Sequence, residues 1–303
     1  MAFDFARPSC IPITPALRGV YWMVVAQLLF SAMSVFTRLG AQNAPWQEAA
    51  FVRFGIGALV AWLIAGMHGA PLTITHKKMM WMRSIAGTLS ALATFYVWAS
   101  PEIPLGDAVT LTSVGPLFVV LLSWPLLKER AGKLVWGAMP IALCGIILVL
   151  QPSFHVALLF AIVALAGSFF GSLAVISLRY IGPSESSEAV VLYFSLLAAL
   201  VTLAISLPVW TTPDLRTGLF LLLTGITGGL GQVAMTRAYS TDRAARISAL
   251  NYLGIIFTYI FAIPVFGDLP GTSQLFGAGA VLVSGVFITL SAQKERAPAI
   301  VPN

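Results

Sequence analysis

Gln27, Ser31, Ser34 and Arg38 follow one another at steps of four, three and four, which places them on one face of an α-helix. Amides and hydroxyls in such a row can hydrogen-bond a polar solute, and the row stands in a run of otherwise apolar residues. Ser168, Ser172 and Arg179 form a second row of the same kind. Gln232 with Thr236, Asn251 beside Tyr252, and Thr112 ahead of Gly115-Pro116 add further polar groups within apolar runs. In hydrocarbon such groups face protein or a wet cavity. Two readings stay open: the residues line a solute pathway, or they bond helices together, as Ser and small residues do at tight interfaces. Gln27 is too bulky for close packing and favours the cavity.

Tyr96 and Trp98, with Phe95, are either interfacial belt aromatics or an aromatic gate and platform for a substrate. Arg53 lies well inside an apolar run. It pairs with a substrate carboxylate, with Glu48 or Glu188, or snorkels to the surface. Pro116 kinks its helix and frees a carbonyl, which can bind a substrate ammonium or simply bend the helix. Tyr239 extends the Gln232–Thr236 face or sits in the belt. Glu129 and Asp268 close apolar runs, where an ion pair or loop cap is expected.

Enzyme chemistry finds no support. No run contains His or two central acids, and no Gly-x4-Gly-Lys-Ser/Thr phosphate loop occurs. His68, His76 and His155 have no metal-ligand spacing, so neither a metal nor a cofactor is expected. Cys10 in the polar tail and Cys144 in an apolar run are not expected to pair.

The elements that position these residues follow from composition. Of 303 residues, 58% are hydrophobic and 9% charged, and the mean hydropathy is +0.92. Ordinary globular proteins are roughly 25% charged, so the chain belongs in lipid. The net charge of +6 does not imply nucleic acid, because its 17 Lys and Arg fall in short loops and form no stripe. Ten apolar runs are long enough for membrane helices: 19–38, 46–67, 79–98, 105–126, 134–151, 156–178, 188–209, 216–238, 246–267 and 273–292. Their unbroken apolarity excludes the alternation of a β-barrel. With the N-terminus cytoplasmic, 14 of the 17 basic residues lie inside, Arg83 among them, and only Arg38 and Arg216 lie outside. The positive-inside rule thus predicts ten spans with both termini in the cytoplasm.

The halves also echo each other. Gln27, Ser31 and Arg38 recur as Ser168, Ser172 and Arg179 at an offset of 141. Glu48 and Phe54 recur as Glu188 and Phe194 at 140, and Gly115, Pro125 and Glu129 as Gly254, Pro264 and Asp268 at 139. Five spans per repeat is an odd number, so the second repeat must insert upside down. The expected fold is all-α integral membrane, ten transmembrane helices as two inverted five-helix repeats (19–151 and 156–292), with cytoplasmic tails 1–18 and 293–303. Inverted repeats are a mark of secondary transporters, which bind substrate between the repeats near the midplane.

The Phe30–Arg38 stretch, Glu48–Phe54, and Ala108–Glu129 with its copy Ala238–Asp268 resemble the drug/metabolite transporter superfamily, in particular its bacterial EamA-type members. The resemblance spans nearly the whole chain. Asp268 stands where the family usually has Glu. The layout is similar to YddG-type amino-acid exporters, and carriers for riboflavin, S-adenosylmethionine and other metabolites share it. The resemblance implies a multi-pass carrier of the bacterial inner membrane that exports small metabolites, amino acids foremost, by alternating access. No acid lies deep in a span, so exchange or facilitated transport without a proton relay is expected.

Overall fold

The computed structural model describes residues 15–127, 137, 140–141, 144–145, 147–148, 156–241, 247–248, 250–267 and 269–294. Cys10, Glu129, His155 and Asp268 lie outside the described residues, as do both ends of the chain and most of the expected span 134–151. The protein is an all-α integral membrane protein. Its helices are α1 (Pro15–Gly40), α2 (Trp46–His68), α3 (Lys77–Ala99), α4 (Leu105–Thr112), α5 (Gly115–Leu127), α6 (Val156–Ile181), α7 (Ser187–Ser206), α8 (Leu215–Thr241), α9 (Leu253–Phe266) and α10 (Thr272–Lys294).

Helices form because hydrocarbon offers no water to backbone groups, and a helix satisfies them within one segment. Local signals set the ends. Gly69 and Gly267 take left-handed φ values of 62° and 70° and cap α2 and α9. Ser186 accepts a bond from the Ala189 amide at 3.1 Å to open α7, and Asp214 does the same for Thr217 at 3.1 Å ahead of α8. Hydrogen bonds from Thr217 hold the exposed Asp214 carboxyl below its usual pKa.

Among the described residues, six helices have the length and apolarity to cross a bilayer: Arg18–Gly40, Trp46–His68, Leu105–Ser123, Leu158–Ile181, Ser187–Val209 and Leu215–Thr241. Leu250–Phe266 and Thr272–Phe287 are shorter apolar helices. The expected span 79–98 is helical too, within α3, but Arg83 lowers its hydropathy. Leu59, Trp62, Leu158, Leu159, Leu200 and Leu219 cover the outside with exposed apolar surface, which suits lipid and not water.

Packing comes in matched pairs. Helix α1 lies on α8, and α3 on α6; α2 touches α8, and α3 touches α7; α1 meets α9, and α5 meets α6. At the centre α2 packs on α7, and α4 on α9. Small residues let the backbones approach, as expected where helix association rests on van der Waals packing. A Cβ on Gly229 would lie 3.0 Å from the Gly57 Cα and 3.2 Å from the Val60 Cβ. Gly229→Leu is therefore expected to destabilise the protein by about 1–3 kcal/mol, read as a lower melting temperature in detergent. Gly66→Leu, with nothing within 4 Å of its Cβ position, serves as the control that leaves it unchanged.

Candidate functional site

The site begins with two helix breaks. Between α4 and α5 the chain turns at Ser113 and Val114. Pro116 has no amide hydrogen, so the Thr112 carbonyl, four residues earlier, loses its helical donor. Ser168 of α6 supplies one, donating from Oγ to that carbonyl at 3.1 Å. Ser172, one turn on, donates to the Gly115 carbonyl at 2.9 Å. The second break is the 3-10 turn Leu250–Tyr252 that precedes α9. Here Ser31 of α1 donates to the Gly254 carbonyl at 3.0 Å, and Gln27 Nε2 donates to Asn251 Oδ1 at 2.9 Å. Each polar row of the first and sixth helices thus holds the broken helix of the opposite half of the chain.

A chamber of about 260 Å³ opens between these elements, close to the smaller ligand pockets, which start at roughly 300 Å³. Its wall takes Gln27 and Ser31 from α1, Thr112 and Pro116 from the first break, Ser168 and Ser172 from α6, Gln232 from α8 and Asn251 from the second break. Trp98 also lines it and donates from its indole to Thr112 Oγ1 at 3.0 Å. A Cβ on Gly254 would sit 2.5 Å from Gln27 Oε1, so glycine is needed for the Gln27 amide to reach across.

Other expected site residues lie outside this lining. Ser34 is fully buried and donates to the Ser31 carbonyl at 2.8 Å. Thr236 donates back to the Gln232 carbonyl at 2.9 Å. Tyr96 stacks on Phe160 at 5.7 Å and meets Trp46 edge-on. Tyr252 is buried in the apolar core and packs over Gly285. Arg38 donates to the carbonyls of Trp98 and Ile103, both at 2.7 Å, and so ties α1 to the α3–α4 loop. Arg179 stands in the last turn of α6. Tyr239, a belt candidate by sequence, is instead fully buried and accepts a bond from Asn251 Nδ2 at 3.2 Å.

Arg53 neither snorkels nor pairs with an acid. It is 3% exposed, lines the chamber, lies 4.1 Å over the Phe54 ring and donates to Gln232 Oε1 at 3.1 Å. Its expected acidic partners are engaged elsewhere: Glu48 accepts from the Thr211 amide, and Glu188 binds Arg237 at 2.5 Å. The sequence pattern also misplaced Arg83. Grouped with Lys77 and Lys78 in the loop-charge count, it is six residues into α3, about 9 Å along the axis. It is 2% exposed, 4.2 Å over the Phe194 ring and part of the chamber wall. Phe95, named with Tyr96 and Trp98 as belt or platform, is in the wall, and Phe54, Phe194, Ser90 and Thr94 complete a part of it that sequence reasoning passed over. The Phe54–Phe194 match at offset 140 was the available signal.

Residues 17–151 match the EamA-like transporter family. A transporter of Helicobacter pylori, itself uncharacterized, is 30% identical over 91% of this chain and 96% of its own length. The chain belongs to the EamA-like transporter family. The pseudopaline exporter of Pseudomonas aeruginosa is 29% identical to this family member over 91% of the chain and 97% of the exporter. A solved crystal structure shares the fold with a TM-score of 0.75, covering 92% of this chain and 99% of the other at 16% identity.

The Gln27–Asn251 bond gives a direct energetic check. A double-mutant cycle of Gln27→Ala and Asn251→Ala is expected to return a coupling of about 0.6–1.7 kcal/mol in unfolding free energy. Additive effects would show that the two amides do not interact.

Proposed function

We propose that this EamA-like protein is a secondary carrier that exports a small organic metabolite across the bacterial inner membrane by alternating access, with the chamber as its binding site. The observation that carries the reading is the matched pair of serine bonds. Ser31 to Gly254 and Ser172 to Gly115 are related by the same offsets, 141 and 139, that relate the halves in sequence. Gln27 to Asn251 and Ser168 to Thr112 repeat the pattern. This crossing, and the paired packing of the helices, support two inverted five-helix repeats, 19–151 and 156–292, and the bias of the basic residues supports cytoplasmic tails. A chamber walled by both repeats at their interface is what alternating access requires.

The proposed substrate is an amino acid or a derivative of one. Its carboxylate would meet Arg53, its ammonium the hydroxyls and broken-helix carbonyls around Thr112 and Asn251, and its side chain the Phe54, Phe95 and Trp98 rings. The chain's likeness to the pseudopaline exporter of Pseudomonas aeruginosa favours outward transport. Among the described residues no Asp or Glu lines the chamber, which favours exchange or facilitated transport over proton coupling.

Counterflow in proteoliposomes tests this. Preloaded amino acids are expected to drive saturable uptake of labelled substrate, unaffected by collapse of a pH gradient. Gln27→Ala and Asn251→Ala are expected to abolish it at normal membrane expression. Uptake that never saturates would point to a pore, and uptake that collapses with the gradient would point to proton coupling. Normal counterflow in both variants would remove the chamber from the transport path.

A further inference from the structure

The two arginines of the chamber are not accounted for by folding. Arg53 and Arg83 are both almost wholly buried, and among the described residues no carboxylate lines the chamber with them. Their faces are covered: Arg53 lies on Phe54 and Arg83 on Phe194, and these two rings meet edge-to-face at 5.4 Å. Their edges are only partly so: Arg53 Nη2 donates to the Gly228 carbonyl at 3.4 Å and to Gln232 Oε1 at 3.1 Å. Arg53 Nε and Nη1 and Arg83 Nε have no hydrogen-bond partner. Gln232 Nε2, on the same wall, has none either. Every one of these four atoms is a pure donor.

A buried guanidinium without a counter-ion costs several kcal/mol, and two near each other cost more. Breaking a buried pair is costly because a lone charge remains; here the lone charges are built in. The feature is also asymmetric. The serine bonds occur once per half, but position 193, at an offset of 140 from Arg53, is Tyr193, and the positions matching Arg83 are Leu222 and Leu223. A device that served the repeat architecture would recur with it. Space has been kept for it as well: a Cβ on Gly228 would lie 2.9 Å from Arg53 Nε.

We propose that Arg53 and Arg83 form an anion subsite and that the transported metabolite carries two carboxylates, one for each guanidinium, with Gln232 donating to the first. Planar guanidinium edges braced on phenyl rings match planar carboxylates, which accept two bonds side by side. The flanking rings hold the aliphatic segment between the carboxylates. This assignment rests on the carrier reading above and narrows its substrate from amino acids in general to acidic ones and dicarboxylate derivatives.

The test is thermal unfolding of the purified full chain in detergent with glutarate, L-leucine, glucose 6-phosphate, or sodium chloride at matched ionic strength. Glutarate is expected to stabilise the wild type and Arg216→Gln, an exposed cation over Phe220, and to bind at least about tenfold more weakly to Arg53→Gln and Arg83→Gln. The empty Arg53→Met and Arg83→Met proteins are expected to melt at or above the wild type, because an uncompensated charge has left the interior. A purely structural arginine gives the opposite sign. The proposal is overturned by glutarate acting no better than chloride, by equal binding in the variants, by stabilisation with glucose 6-phosphate alone, or by lower melting of the empty Met variants. Counterflow separates the two readings. Leucine counterflow that persists unchanged in both Gln variants defeats the subsite and leaves the carrier standing. Absence of counterflow for every compound in wild-type vesicles defeats the carrier, while glutarate binding remains measurable.

Discussion

Within hydrocarbon a polar atom has no water to fall back on, so each one must find its partner in protein or in a ligand. That constraint organises this molecule. It forces the chain into helices, and it makes any break in a helix conditional on a donor arriving from elsewhere. The two breaks are met from outside their own half: hydroxyls of α6 hold the α4–α5 turn, and Ser31 with Gln27 holds the turn before α9. A wet, polar cavity can then exist between helices whose outer faces are bare leucine and tryptophan.

The same constraint links packing to motion. Bonds across the two halves are individually weak, worth about 0.6 kcal/mol on average within membranes. The interfaces beside them are smooth, as where Gly57 crosses Gly229. The heaviest helix packing also runs between the halves, α1 on α8, α3 on α6 and α2 on α7, so any movement of one half against the other must pass through these contacts. Arg38 ties α1 to the α3–α4 loop within the first half, and Glu48 joins α2 to the segment ahead of α8 across the halves.

Much of this was legible in the residues. Apolar run length announced the helices, and the step of three and four in Gln27, Ser31, Ser168 and Ser172 announced the chamber-facing rows, because a polar atom in lipid has few places to go. Pro116 announced the first break. The second has no proline, and only the match of Gly115 with Gly254 pointed to it. Aromatics were the blind spot: Phe54 and Phe194 read the same whether they face lipid or a cavity, since both surroundings are apolar. Arg83 was hidden by its neighbours, because a cation in the first turns of the span 79–98, beside Lys77 and Lys78, counts with the flanking charges and not with the interior. Tyr239 looked interfacial for its position near a helix end, yet its hydroxyl is used in the interior by Asn251.

The central claim is that one chamber, shared by two opposed halves, opens to each side of the membrane in turn. A single cysteine at Thr94 on the chamber wall, in a background lacking Cys10 and Cys144, reports this directly. With an impermeant thiol reagent, labelling from either face, in right-side-out and in inverted vesicles, with a shift in the balance when substrate is supplied on one side, is the result this account predicts. Labelling from one face alone under every condition, or none at all, would contradict it.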